Sequence, residues 1–196
     1  ETMIIERPVP QSVVVFGHRG IAREDPDWYA ATLLFEVLAG GFGSRLTEEI
    51  REKRGLTYGI SAYPLPLDHS ALIVGGVSTV NERVVETIEL LKQIWGKFGA
   101  EGPTSQEVRD AKDYVNGSYN LRFSNSGAIA GVLAAIQRQN LGIDYIERRA
   151  QIIASIKIED LKRVAKRLFR AEDLTFVVVG KPAGLKATRA APDLAP

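Results

Sequence analysis

The chain has 196 residues, 45% of them hydrophobic, which is enough for one large domain or two small ones with a buried core and excludes a disordered chain. Lys and Arg number 25 against 24 Asp and Glu, and a net charge of +1 excludes nucleic acid as the main partner, because phosphate binding needs a basic excess on one face. There is no cysteine, which excludes disulfides, thiolate zinc sites and cysteine nucleophiles, and no apolar run is long enough to span a membrane.

The opening residues, ETMIIERPVP, lack the basic start and long apolar segment of a signal peptide. The first residue is Glu1 rather than Met, so the reading is of a fragment of a longer protein. The compartment is then open between the cytoplasm and the periplasm of a bacterium, with the periplasm slightly favoured. SVVVFG, residues 12–17, is a β-branched run closed by glycine and predicts a buried strand. DPDWYAATLLFEVLAG follows: Asp25 before Pro26 reads as a cap and first turn, and Gly40 and Gly41 stop the helix. Ser44 is placed to cap a second helix running to about Lys53, ended by Gly55. LTYGISAYPL (56–65) and SALIVGGVST (70–79) read as two strands of an antiparallel hairpin.

From Glu82 the period changes. Val84, Ile88, Leu91, Trp95 and Phe98 form one apolar helical stripe. TSQE (104–107) is a capping box that starts another helix, with Val108, Ala111, Val115 and Ser118 on its inner face. Further helices are predicted near 126–139, 143–154 and 159–169, and DLTFVVVG (173–180) is a closing strand. The Ala- and Pro-rich residues 183–196 read as a frayed tail beyond one domain over 1–182. Strands at the start, middle and end around a block of helices give an α+β class: a mainly antiparallel sheet with helices packed on one face.

Residues 40–59, GGFGSRLTEEIREKRGLTYG, crowd two glycine turns around a short charged helix. GGFGSR lacks both the G-x-x-x-x-G-K-[ST] and the G-x-G-x-x-G patterns and follows a helix, so it is not a phosphate loop. In the helix, Leu46 and Ile50 share a face while Glu48, Glu49, Glu52 and Lys53 point elsewhere. Acidic residues come early, and Arg51, Lys53 and Arg54 come late, which suits the helix dipole. A solvated amphipathic helix accounts for all of this without catalysis, and strand parity with Ile60 and Ala62 makes Tyr58 readable as a core aromatic. Neither His18 nor His69 has a second histidine three to five residues away, so no short-spaced zinc pair exists.

LAGGFGSRLTEEIREKRGLTYGISAY, within the element order from VVVFGHRGIAREDPDWYA to LTFVVVG, resembles the C-terminal half-domain of the pitrilysin-type zinc metallopeptidases, the inverzincins, which include insulin-degrading enzyme, the mitochondrial processing peptidase and bacterial two-subunit relatives. The resemblance implies a LuxS/MPP-like metallohydrolase half-domain, one of a pair of α+β halves closing around a peptide. One half of such a pair carries His-x-x-Glu-His and binds zinc; another supplies an Arg and a Tyr to the substrate. The matching positions are Arg51 and Tyr58, provided the turn at Arg54–Leu56 folds back, which Gly55 makes easier. Gly40, Gly41 and Gly43 become a loop for close approach of substrate or the other half, or else simply a helix stop. His-x-x-Glu-His is missing, so zinc is expected in a homologous domain or subunit, in a homo- or heterodimer, with a peptide as substrate. The alternative is a catalytically inert assembly module of the same fold.

Overall fold

In the computed structural model, residues 1–192 are described. Five strands form one sheet in the order β1-β5-β2-β4-β3: β1 Thr2–Glu6, β2 Gln11–Arg19, β3 Ile60–Leu67, β4 Ser70–Val80 and β5 Thr175–Gly180. Three neighbouring pairs are antiparallel and one, β1 with β5, is parallel. The α+β class with a mainly antiparallel sheet stands. β1 was not foreseen, because five residues with Met3, Ile4 and Ile5 between charges and prolines give too short a pattern to separate from a loop.

Six α-helices form a layer among the described residues, α1 and α2 directly on the sheet: α1 Trp28–Ala39, α2 Val84–Glu101, α3 Ser105–Gly117, α4 Ser126–Arg138, α5 Tyr145–Ser155 and α6 Ile158–Leu168. They cover one face only. Along β2, Ser12, Val14 and Phe16 are buried while Val13 and Val15 are exposed, so the run expected to be buried throughout is buried on alternate residues. The core grows from the helical stripe predicted over α2. Val84, Ile88, Leu91, Trp95 and Phe98 are all buried. Trp95 sits edge-on to Phe16 (5.9 Å between centroids) and to Phe169 (5.1 Å), and Phe98 meets Phe169 at 5.0 Å. These perpendicular contacts add specificity to the area that the rings bury.

The start of α1 differs from the expected cap. Asp27, not Asp25, is the N-cap residue, and its side chain does not bond the helix. It accepts instead from Arg163 (2.6 and 2.9 Å) and Arg167 (2.6 Å) on α6, while Asp25 takes Arg167 at 2.7 Å. Charge-assisted bonds to two guanidiniums outcompete a neutral backbone donor. Those arginines hold the Asp27 carboxyl below the usual carboxylate range. The capping box of α3 is as read: Glu107 N donates to Thr104 Oγ1 and Thr104 N to Glu107. Ser118 lies just past the end of α3, at the start of a 3-10 turn over Ser118–Phe123.

Of residues 183–196, Ala183 N bonds Asn81 O, Thr188 N bonds Thr2 O, and Arg189 pairs with Glu1 at 3.0 Å. Residues 193–196 of the expected tail lie outside the described residues. No helix among the described residues is long and apolar enough to cross a membrane.

Candidate functional site

The segment after α1 turns on glycine. Gly40 closes α1 by donating its N–H to Glu36 O. Gly41 has φ +143°, a conformation that L side chains rarely adopt, which explains a glycine there. Gly43 has neither constraint: open space surrounds its Cα and its φ is ordinary. The three glycines therefore play separate parts. Between them Phe42 is pushed into solvent, 79% exposed.

The helix that follows is wound wide. Thr47–Glu52 form a π-helical segment, with Lys53 N reaching back to Glu48 O. Single π turns of this kind recur at functional sites, because the extra residue re-aims the side chains beyond it. Leu46 and Ile50 are fully buried, as their shared face predicted. The charges sort themselves. Lys53 pairs with Glu48 (2.9 Å) and Glu49 (2.7 Å), and Arg54 pairs with Glu49 at 2.6 Å. Arg51 is left outside that cluster. Its one carboxylate contact among the described residues is Glu52 at 3.4 Å, and its guanidinium lies 5.0 Å from the centre of the Phe42 ring. A cation over an aromatic face is held by the ring quadrupole while its donors stay free to bind elsewhere.

The chain then folds back as the spacing required. Gly55 adopts φ +59°, Gly55 N bonds Arg51 O and Leu56 N bonds Ile50 O. Residues 56–59 are not in a strand, contrary to expectation, since β3 begins at Ile60. They form a turn locked by two threonines. Thr79 Oγ1 donates to Leu56 O at 2.6 Å. Thr57 Oγ1 lies 2.7 Å from Ser78 O and 2.8 Å from Gly59 O and accepts from Gly59 N at 3.1 Å. Both threonines are buried, at 8% and 2% exposure. Tyr58 between them is 90% exposed, so its reading as a core aromatic is wrong. Bonding of Thr57 and Thr79 takes the backbone out of strand geometry, and strand parity no longer applies.

Arg51 and Tyr58 line one open depression of about 450 Å³ together with Gln11, Thr79 and Arg83. The glycine loop lines a separate one of about 420 Å³ against α3. Phe42, under the Arg51 guanidinium, is the link between the two. Glu36 stands at the glycine-loop depression, and burial raises its carboxyl above the usual range. Phe42, Glu36 and Thr57 were not singled out from the sequence. The pattern of an aromatic set between Gly41 and Gly43 was the available signal for Phe42.

Zinc does not fit here. Among the described residues no group of three or more His, Asp or Glu is close enough to hold a metal ion. His18 is committed to the fold, with Nδ1 at 2.8 Å from Arg19 O and its ring edge-on to Trp95 at 5.7 Å.

The model of the family described as "Peptidase M16 inactive domain" matches residues 1–115. A Streptomyces coelicolor protein called an uncharacterized zinc protease is 27% identical over 166 residues, 83% of this chain and 36% of that protein. A Helicobacter pylori protein named as a non-peptidase homolog is 25% identical over 177 residues, 90% of this chain and 41% of its own. The chain thus spans about two fifths of the length of these relatives. The crystal structure of a peptidase M16 inactive domain from Pseudomonas fluorescens superposes with a TM-score of 0.84 at 30% identity, covering 94% of this chain and 45% of that one. Fold, element order and match over more than half the sequence agree, and the chain belongs to the peptidase M16 family as an inactive domain of zinc protease-like proteins.

Proposed function

We propose that this chain is the substrate-positioning half of a zinc metalloendopeptidase, the zinc being held by another domain or subunit. The observation that carries the reading is Tyr58. A tyrosine that buries nothing, 90% exposed on a turn pinned by two buried threonines, has no structural reason to be there. It lines one depression together with Arg51.

The chemistry of each residue follows from its donors. When a peptide carbonyl is attacked, negative charge develops on its oxygen. The Tyr58 hydroxyl would donate a hydrogen bond to that oxygen, and a preorganised donor of this kind is worth about 10²–10³ in rate. The Arg51 fork would grip carbonyls of the bound peptide and fix its register. Its stacking on Phe42 holds the guanidinium without consuming its donors. The metal, held by the other half, would supply activation of the attacking water.

The test is made in the assembled enzyme, with the zinc-bearing half present. Tyr58→Phe should lower kcat about 10²–10³-fold with little change in KM. Arg51→Ala should raise KM. Unchanged hydrolysis by both variants would refute the reading.

A second reading is kept because a relative is named as a non-peptidase homolog. An inert assembly module would use the same fold and lose only the chemistry. An assembled protein with zinc bound and no peptide hydrolysis would select it.

A further inference from the structure

Away from Arg51 and Tyr58, the helical layer leaves an open cavity of about 630 Å³ between α1, the turn Ser118–Phe123, α4 and α5. Three arginines line it, Arg23, Arg122 and Arg149, and no aspartate or glutamate does. None of the three makes an ion pair among the described residues.

Arg149 is 9% exposed. Its guanidinium lies 4.1 Å from the centre of the Tyr119 ring and donates two long bonds, each 3.3 Å, to Asn116 Oδ1 and Val115 O. These are neutral acceptors at the last turn of α3. They offset part of the cost of burying a cation and leave its charge uncompensated. Arg23 is half-buried, donates to Gln139 Oε1 at 2.8 Å and Tyr29 Oη at 3.3 Å, and stacks on Trp28 and Tyr29. Again every partner is neutral. The Tyr145 phenol lies within Coulomb range of both guanidiniums, and burial first, then Tyr29, pushes it up to about 12, so it remains a neutral donor.

Val132, Ile136 and Ile153 supply apolar lining. Much of it belongs to α4, an apolar helix of 13 residues whose inner stripe, Ala128, Val132, Ala135 and Ile136, is only half-buried. A helix so composed normally buries a stripe. Here that stripe lines the open cavity.

We infer that this cavity binds a small monocarboxylate with an apolar or aromatic body, the carboxylate held between Arg23 and Arg149 and the body against Val132, Ile136 and Ile153. The forks of two unpaired guanidiniums match a carboxylate's two oxygens. The apolar remainder matches a ligand body and offers nothing to a bare inorganic anion. The site shares no residue with the Arg51–Tyr58 depression and does not depend on the peptidase reading.

Isothermal titration of the full-length protein with 4-phenylbutyrate, 4-phenylbutyramide and inorganic phosphate tests it. The carboxylate is expected to bind with a Kd of about 1 mM or tighter, and the amide and phosphate at least about tenfold more weakly. Arg23→Gln, at a half-buried side chain with neutral partners, should cost about tenfold in carboxylate affinity while Tm falls by no more than about 5 °C. Val132→Trp, which fills the cavity from the half-buried stripe of α4, should give the same loss without touching an arginine. The inference is overturned by no binding heat at about 10 mM carboxylate, by equal affinity in Arg23→Gln (uptake at a metal elsewhere), or by phosphate binding as tightly as 4-phenylbutyrate.

Discussion

Thr57 is the residue on which the presentation of Tyr58 rests, and Thr57→Val isolates its hydroxyl at almost unchanged shape. The hydroxyl has one proton, shared between Ser78 O at 2.7 Å and Gly59 O at 2.8 Å, and it accepts from Gly59 N at 3.1 Å. Valine removes one donated and one accepted bond at a site that is 8% exposed. Each such bond contributes about 1 kcal/mol net, and a buried backbone group left unpaired costs more, so the loss should be about 2–3 kcal/mol. For a domain of this size that is a fall in Tm of about 4–12 °C. The assay is thermal unfolding together with hydrogen exchange at the Gly59 amide, whose protection should drop before that of β4. Thr57→Ser keeps the hydroxyl and should recover most of the loss. A Thr57→Val protein melting within about 1 °C of the parent, with Gly59 still protected, would refute the argument that this hydroxyl locks the turn.

Gly40→Ala and Gly43→Ala should part company. A Cβ at Gly40 would lie 2.5 Å from Glu36 O, so that variant should lose about 1–3 kcal/mol in denaturant titration, whereas Gly43, with nothing within 4 Å, should change by under about 0.5 kcal/mol. If Gly43→Ala nonetheless lowers turnover in the assembled enzyme, the loop approaches a partner or substrate closely there. His18 supplies a pH signature. Burial lowers its pKa from 6.5, outweighing the Arg19 carbonyl and Asp173, while Arg170 lowers it further. The unfolded chain then binds the proton more readily, so stability is complete above pH 6.5 and falls as pH drops through it. Tm should decline from pH 7 to pH 5, and His18→Phe, which keeps a ring against Trp95, should flatten that slope. An unchanged slope would place the titrating group elsewhere.

Legibility in the sequence followed the scale of the signal. α2 was readable because five apolar residues repeat at helical spacing, and the α3 capping box because it needs only four residues. β1 and the π turn were not. A five-residue edge strand has too few alternations to announce itself, and a π turn depends on where Leu46 and Ile50 find core space rather than on any local preference. Asp25 was misassigned as the helix cap because the partners that engage it and Asp27, Arg163 and Arg167, lie more than 130 residues away. At the site, Arg51 and Tyr58 were named through the family resemblance, while the residues alone read as a solvated helix and a core aromatic. That Tyr58 faces solvent was settled by Thr57 and Thr79, whose bonds to backbone carbonyls leave no pattern in the chain. The Arg23–Arg149 cavity was likewise invisible, since its walls come from four separate elements.

The pairing of Arg189 with Glu1, and of Thr188 with Thr2, brings both ends of the fold to one corner of the sheet. Anything fused to either end departs from the same point. A circularly permuted chain, opened at the exposed Leu67–Ser70 hairpin and closed across this corner by a short linker, should therefore keep both the core around Trp95 and the turn that presents Tyr58.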